Sequence, residues 1–540
     1  MDADRTLQPF RLGRLARVAL LAALGLLALL ALPNAAPAQQ GLVTGLTGPG
    51  QYQSGDPASR ALWFDRTVDA GAGIVRLAVE WRDAAPQRPA QPTNPASYNL
   101  SSLDGGVRDA AARGVQILIS VNSAPAWAEG PGRPASLPET ASWKPNPSDL
   151  ANFMQALTAR YSGSFDPDGP QPPLPAVQAL QVLNEPNQDA WLAPQFDGKA
   201  IIGPDQYREL LNASYRAIKA VNPGMLVVTG GTSPYGDPPG GPYPPGGARV
   251  RPVQWWENFL CVHPVTVKVN VKKLKKALSK AKKTGNQAKI KKLQKKLKKA
   301  KKKTTASLVR TQGCPGPALF DVLAHQAIDN TGGGPLKSGP DPDDASTPDL
   351  GRVVGVLRAA ESLGTLPGSH PAWVTEFWWD SNPPNPVGAP LDVQAAWIEQ
   401  SLYLFWKAGA SAAINFEIQD STLYPVTRNG YQSGLYFLDG QAKPALTAFR
   451  FPFVTERINK RKVRAWGKAP EGGTLSIQRQ QGAAWVTIKT LQVSKGAVFL
   501  TELRSSGKKR KKGKKRRRLF PATTLRATVG SSQSLSWYQS

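Results

Sequence analysis

The sequence predicts an α/β fold: eight strand–helix units closed into a (β/α)8 barrel, carrying a Lys-rich helical-hairpin insertion and followed by a small C-terminal all-β sandwich domain. Three observations predict it. Between residues 42 and 450, short apolar runs alternate with amphipathic ones, and eight apolar runs can be counted. Two of these runs, the fourth and the seventh, end in a glutamate, Glu185 and Glu376. That is the lip where barrels and open α/β sheets place their chemistry. From residue 455 the pattern changes to short β-type runs separated by Gly and Ser.

The elements follow in order. A first strand lies near Gly41–Leu46, and Gly73–Trp81 reads as the second. Asp104–Arg113 is a helix closed by Gly114, and Val115–Val121 is the third strand. Ser148–Tyr161 is an amphipathic helix behind Pro147, and Ala176–Leu183 is the fourth strand, Val- and Leu-rich as a buried parallel strand should be. Helix 205–221 ends at Asn222-Pro223, and Met225–Thr229 is strand five. The Gly/Pro loop at 236–252 has no capacity for regular structure. Leu319–Ala324 is expected as strand six, Asp349–Leu363 as a helix, Trp373–Phe377 as strand seven, Val393–Ala408 as a helix and Ala412–Ile418 as the last strand. An open doubly wound sheet is the rival, disfavoured by the strand count and by the missing Gly-rich turn after the first strand. The 455–540 region offers β-runs at 462–466, 474–478, 484–490, 497–503, 523–529 and 534–538.

Charge and targeting signals bound the function. The 540 residues carry a net charge of +29. Residues 268–303 hold 18 Lys and no acid, and residues 508–518 hold 10 basic residues and no acid, so the remainder is nearly neutral. A specific nucleic-acid binder would show a basic face on its main body, so that class is disfavoured. Leu274, Leu278 and Ala281 share one helical face and Ile290, Leu293, Leu297 and Ala300 another, with Thr284-Gly285-Asn286 between them. This predicts a helical hairpin coated in Lys, either a solvated excursion or a contact for anionic cell-wall polymer or a membrane surface. The basic run 508–518 reads as a loop between strands. Residues 1–38 combine Arg5, Arg11, Arg14 and Arg17, an apolar run from Val18 to Leu32 and a small-x-small site at Ala36-Pro37-Ala38. They read as a secretory signal peptide, with an uncleaved anchor as the alternative, and so predict a secreted or cell-surface protein. In an oxidising compartment Cys261 and Cys314 would form one disulfide across the insertion; two buried free thiols are the alternative. With only His263, His325 and His370, none at ligand spacing, neither a metal nor another cofactor is expected.

The chemistry concentrates in Asn184-Glu185-Pro186 and in Thr375-Glu376-Phe377-Trp378-Trp379. Paired carboxylates facing each other across a barrel mouth suit glycosidic cleavage, with one delivering a proton and the other facing the anomeric carbon. Sugars stack on aromatic faces, and Trp127, Trp191, Trp378 and Trp379 lie just past strand ends. Glu80 and Glu417 are further strand-end acids, read as loop or subsite residues.

With these residues, with Arg76 inside strand two and with Ala124-Pro125-Ala126-Trp127 after strand three, the region 42–450 resembles the retaining glycoside hydrolases of clan A. The cellulase-like (family 5) and β-xylosidase-like (family 39) members are the nearest in motif. The resemblance implies a (β/α)8 TIM barrel and a secreted hydrolase of β-linked polysaccharides or oligosaccharides acting by double displacement. It implies Glu185 as acid/base, Glu376 as nucleophile, Arg76 as the cation keeping Glu376 ionised, and Asn184 as a donor to the sugar 2-hydroxyl. Trp127, His325, Trp378 and Trp379 would contact substrate. The chain departs from the pattern after His325, where no Tyr follows, and in Asn415–Ile418, which lacks a Trp. A catalytically weak carbohydrate-binding or cell-wall-associated protein on the same barrel is the alternative reading.

Overall fold

The computed structural model describes residues 41–167, 169, 172–268, 272–301, 304–329, 332–422, 431–504 and 520–540. The signal-like segment 1–38 and the basic run 508–518 lie outside these residues. Eight parallel strands form one sheet: β1 (Val43–Thr47), β2 (Ile74–Glu80), β3 (Gln116–Asn122), β4 (Ala179–Val182), β5 (Leu226–Thr229), β6 (Leu323–Gln326), β7 (Ala372–Phe377) and β8 (Ala410–Phe416). Each pairs with its chain neighbours, and β8 returns to β1. Parallel bridges Val228–Val322 and Thr232–His325 link β5 to β6 and complete the ring. The result is a (β/α)8 barrel.

Alternation along the strands divides the residues between interior and exterior. On β2, Val75, Leu77 and Val79 join the layer packed under the helices, whereas Ile74 belongs to a small interior cluster with Leu118, Ala179, Val228, Ala324 and Ile414. Arg76, two residues above Ile74, therefore points into the barrel one layer nearer its mouth. The helices bear their own stop and start signals. Asp56 caps α1 (Pro57–Asp69) by accepting from the N–H groups of Ala58 and Ser59, and Asn146 caps α3 (Pro147–Arg160), the helix after α2 (Ser101–Ala112), in the same way. Pro at the first helical position supports both.

Strand six begins at Leu323, four residues later than the apolar run Leu319–Ala324 suggests. Polar side chains take over the backbone before it. Asn212 accepts from the Leu319 N–H. Asp321 accepts from the Val227 N–H and pairs with Lys219. A second difference follows α4 (Gly203–Val221). The sequence reading leaves the stretch after 252 without structure, but Pro252–Phe259 is a short helix, α5, burying Trp255, Trp256 and Phe259 completely. Burial of three large rings overrides a sequence pattern too short to show a helical period.

The insertion rises from an antiparallel ribbon, Val262–Lys268 with Thr304–Arg310, that carries α6 (Lys272–Lys283) and α7 (Gln287–Lys301). The ribbon is absent from the sequence reading, because its strands border the Lys-rich run that dominates the local pattern. Cys261 and Cys314 are joined as a disulfide at its base, with Cα atoms 5.9 Å apart. Beyond α8 (Leu350–Leu363) and α9 (Leu391–Ala408), the C-terminal strands form two antiparallel sheets. One holds β9 (Phe453–Asn459), β10 (Lys462–Lys468) and β13 (Val498–Arg504). The other is built on β11 (Gly473–Gln481), β12 (Ala484–Val493) and β14 (Thr523–Val529). Phe453, Val463, Ala465, Leu475, Ile477, Leu525 and Ala527 fill the space between them. β9 was not among the expected strands. It pairs with β10 just after the barrel and takes the Glu399 carboxylate of α9 on its first N–H. Residues 41–540 form one compact unit.

Candidate active site

One guanidinium organises the barrel interior. Arg76 is 6% exposed and donates from Nε to Gln181 Oε1 (2.9 Å), from Nη1 to Glu376 Oε2 (3.1 Å), and from Nη2 to Asn184 Oδ1 (2.9 Å) and Ser120 Oγ (3.1 Å). These partners come from β3, β4, the turn after β4, and β7, so the fork geometry of Arg, which Lys lacks, ties four parts of the wall together. Glu376 reaches it through a break in regular pairing. The register of β7 shifts on both sides, between His325 and Gln326 of β6 and between Val374 and Phe377 of β7 itself. As a result two successive residues meet interior partners, Thr375 with Gln181 and Glu376 with Arg76.

The turn after β4 is held under strain. Leu183 (φ 63°) and Glu185 (φ 37°) both occupy the left-handed region, which side-chain-bearing residues seldom adopt. The surroundings fix them there. Tyr207 donates to Val182 O and accepts from the Gly230 N–H. Asn187 donates to Ser233 O and Val250 O and accepts from the Ser233 N–H. Asn184 Oδ1 accepts from both Arg76 and Gln326 (2.7 Å), which fixes the amide orientation and leaves Nδ2 as an outward donor.

Glu185 Oε2 accepts from Gln188 Nε2 (2.6 Å) and Trp191 Nε1 (3.1 Å), two residues on the turn that follows it. Burial pushes the Glu185 carboxyl up to about 8, and the charge of Glu376 adds to the rise; Trp191, Arg76 and Arg249 oppose it. Burial also raises Glu376, against the pull of Arg76. The sequence reading gives Arg76 the role of keeping Glu376 ionised; the cation does act in that direction, but desolvation outweighs it. Two carboxyls that repel share protons unequally, and the one without a bonded cation, Glu185, is the better holder of the proton.

A third carboxyl faces the same mouth. Glu417 is 8% exposed, accepts from Ser421 Oγ (2.8 Å) and is pushed up to about 7 by burial, with Glu376 contributing. Tyr431 is raised to about 12 by burial and by the charges of Glu376, Glu185 and Glu417, so its phenol lies within electrostatic reach of all three. Its ring meets Phe416 edge-on at 4.8 Å and Trp378 at 5.1 Å, giving the mouth one aromatic wall. Glu80 accepts from Asn122 Nδ2 on the neighbouring strand.

Arg76, Asn184, Glu185 and Glu376 thus come together, with Trp378 beside them. Two of the expected substrate contacts, His325 and Trp379, do not fit that role. His325 is fully buried, with Nδ1 on Thr232 Oγ1 and Nε2 on Ala345 O, so both nitrogens are committed to the wall. Burial lowers it to about 4 and keeps it neutral. Trp379 is 4% exposed, with Nε1 on Ser401 of α9 and its ring against Trp397, because the residue after Trp378 points to the helix layer. Trp127 bonds Ala85 O through Nε1 and packs between Trp81 and the Arg88 guanidinium.

Sequence reasoning missed Gln181, Gln188, Gln326, Ser120 and Tyr431. Gln188 was within reach, lying three residues past Glu185, where a turn brings side chains together. Gln326 sits next to the His that the family pattern singled out and bonds Asn184 in its place. Nothing local marks Tyr431. Among the described residues no group of three His, Cys, Asp or Glu is placed to hold a metal ion.

No protein-family model matches the chain, and no curated protein matches it. Among solved structures it is similar to a family 39 glycoside hydrolase from the gut symbiont Bacteroides cellulosilyticus WH2, at 15% identity over 88% of this chain and 81% of that chain, TM-score 0.47. It is similar to a monomeric β-xylosidase from Caulobacter crescentus CB15, at 16% identity over 86% and 94%, TM-score 0.44. A glucosidase from Croceicoccus marinus matches at 13% identity over 86% and 93%, TM-score 0.44. These likenesses concern the fold alone, and the chemistry follows from the side chains of this chain.

Proposed function

We propose that the protein is a retaining glycoside hydrolase acting on β-linked oligosaccharides or polysaccharides. The observation that carries the reading is the pair at the ends of β4 and β7: a half-buried Glu185 held by Gln188 and Trp191, its carboxyl pushed up to about 8, beside a half-buried Glu376 bonded to Arg76. Glu185 gives its proton to the leaving oxygen while Glu376 attacks the anomeric carbon, forming a glycosyl ester. The now ionised Glu185 then takes a proton from water, which attacks the same carbon and releases Glu376. As Glu376 passes from anion to ester, Arg76 keeps its bonds to Gln181, Asn184 and Ser120, so the wall stays in place. Asn184 Nδ2 donates to the hydroxyl beside the anomeric carbon, a bond that strengthens as charge develops on the ring. Trp378 and Tyr431 supply the apolar face.

The test is Glu376→Gln on a panel of nitrophenyl glycosides. Loss of turnover by more than about a thousandfold, with oligosaccharide binding retained, supports the reading. Failure of the unmodified protein to hydrolyse any xylo-, gluco- or manno-substrate would sink it. Export from the cell accompanies this reading, resting on the character of residues 1–38. The Lys hairpin, with no acid between residues 268 and 303, suits attraction to an anionic cell-wall polymer or membrane surface, and such binding should weaken steeply with salt.

A further inference from the structure

Behind the turn that carries the proton donor lies a pocket of about 390 Å³, within the size range of small-molecule sites. Three segments enclose it. The loop before α3 contributes Leu137 and Trp143, the turn after β4 contributes Asp189 and Phe196, and the Gly/Pro loop that follows β5 contributes Tyr243. Three aromatic rings therefore line one cavity. Tyr243 is tilted against Phe196 with centroids 6.3 Å apart, and its hydroxyl is tied to Pro238 O. Trp143 is anchored through Nε1 to Pro131 O, with Lys144 Nζ 5.0 Å over its ring. Each ring keeps part of its surface exposed.

Two polar side chains line it, Asp189 and Gln195, and each has a buried oxygen without a hydrogen-bond partner. Asp189 is 7% exposed. Its Oδ2 accepts from the Gly246 N–H (3.0 Å), while its Oδ1 is buried without a hydrogen-bond partner. A buried acceptor left without a donor costs about 1–3 kcal/mol, so a ligand hydroxyl arriving there recovers more than it would in water. Burial of Asp189 pushes its carboxyl up to about 6. The backbone couples this wall to the catalytic pair. Asp189 follows Gln188, which bonds Glu185, and its N–H is held by Ala248 O of the Gly/Pro loop, while Gln188 bridges Arg249.

We propose that this pocket binds a sugar unit of the oligosaccharide substrate, stacked on Tyr243 or Trp143 and donating a hydroxyl to Asp189 Oδ1. The inference deepens the glycosidase reading and rests on it for the class of ligand. Apolar ring faces with the oxygens of Asp189 and Gln195 as hydroxyl acceptors fit a neutral pyranose, and the pocket borders the turn that carries Glu185. The Gly/Pro loop, unexplained by the barrel, then gains a purpose: it supplies one stacking ring and closes the pocket.

The test measures binding rather than turnover. In the full-length Glu376→Gln protein, xylo-, cello- and mannopentaose are titrated by calorimetry, with Tyr243→Ala, Trp143→Ala and Asp189→Asn added singly. The expected result is a loss of about tenfold in affinity for the bound pentaose in each, with monosaccharide affinity unchanged. Circular dichroism melting establishes that each variant is folded; Tyr243→Ala, on an exposed loop, keeps the test open should Trp143→Ala unfold. Unchanged pentaose affinity in folded variants overturns the pocket, and so does the absence of binding by all three pentaoses. The two proposals fail separately. Pentaose binding that depends on Tyr243 in an unmodified protein without hydrolase activity leaves the pocket standing and removes the enzyme. Hydrolysis of nitrophenyl glycosides with pentaose affinity indifferent to Tyr243 does the reverse.

Discussion

Removing Arg76 is the most informative single perturbation, because its effect on rate, on pH dependence and on stability can each be worked from the geometry. Arg76→Met fills the space but deletes the donors to Gln181, Glu376, Asn184 and Ser120. Glu376 is then a buried carboxyl with no cation, and an opposite charge at this range lowers a carboxyl by about 1–3 units. Its loss raises Glu376 by that amount. Since Glu376 must be ionised to attack, the acidic limb of kcat/KM moves upward by about 1–3 pH units, and rates on that limb fall by about ten- to a thousandfold. Arg76 also lowers Glu185, so the basic limb shifts upward too, and the bell moves as a whole. Breaking a buried pair on one side costs about 3–5 kcal/mol of stability. Arg76→Lys keeps the charge but loses the fork, so the limbs stay within about one unit while kcat falls about tenfold through misplacement of Asn184. Initial rates on a nitrophenyl glycoside between about pH 4 and pH 9, with thermal melts of the same samples, read all of this. An Arg76→Met protein with an unmoved acidic limb and a rate within twofold of the parent refutes the reasoning.

Further outcomes follow from the same interactions. Glu185→Gln lowers the hydrolysis of glycosides with poor leaving groups by about 10²–10⁴, and less where the leaving oxygen needs little protonation, as a series of aryl glycosides will show. Because the folded-state pKa of Glu185 is raised to about 8, the folded protein binds more protons than the unfolded chain between its ordinary value and about 8, so stability declines with pH there by about 1.4 kcal/mol per unit. Denaturant melts of Glu185→Gln should show a flatter pH dependence over that window. Trp191→Phe removes a donor that lowers Glu185, so the basic limb of kcat/KM moves up by about one unit in the pH–rate profile. Lys468 of β10 is lowered to about 8 by burial where it meets Thr44 and Gly71 of the barrel, so the parent gains stability as pH rises from about 8 towards the ordinary lysine value; Lys468→Met lacks that gain in thermal melts.

The barrel was legible because a parallel sheet buried on both faces writes itself as apolar runs, and eight such runs with intervening helices admit few closures. Glu185 and Glu376 were legible as polar residues at the ends of such runs. The resemblance also brought Arg76 together with Glu376. What the sequence hid were the other interactions made across the ring, such as those of Arg76 with Gln181 and Ser120 and of Gln326 with Asn184. His325 and Trp379 illustrate the opposite error. Both stand beside a residue that faces the candidate site, Gln326 and Trp378, and a one-residue difference in facing sends each into the wall. At β7 the register shift lets two neighbours, Thr375 and Glu376, both meet interior partners, and no local pattern announces it. α5 was too short for periodicity to show, and the ribbon was hidden by the Lys-rich run it borders.

The central claim is that Glu376, and not its neighbour Glu417, forms the covalent bond to sugar. Incubation with a 2-deoxy-2-fluoro aryl glycoside of a hydrolysed sugar, followed by proteolysis and mass spectrometry, tests it directly, since the fluorine slows release of the ester. The account predicts one glycosyl adduct on the peptide containing Glu376 and product of retained configuration. An adduct on Glu417, or product of inverted configuration with no adduct at all, would contradict it.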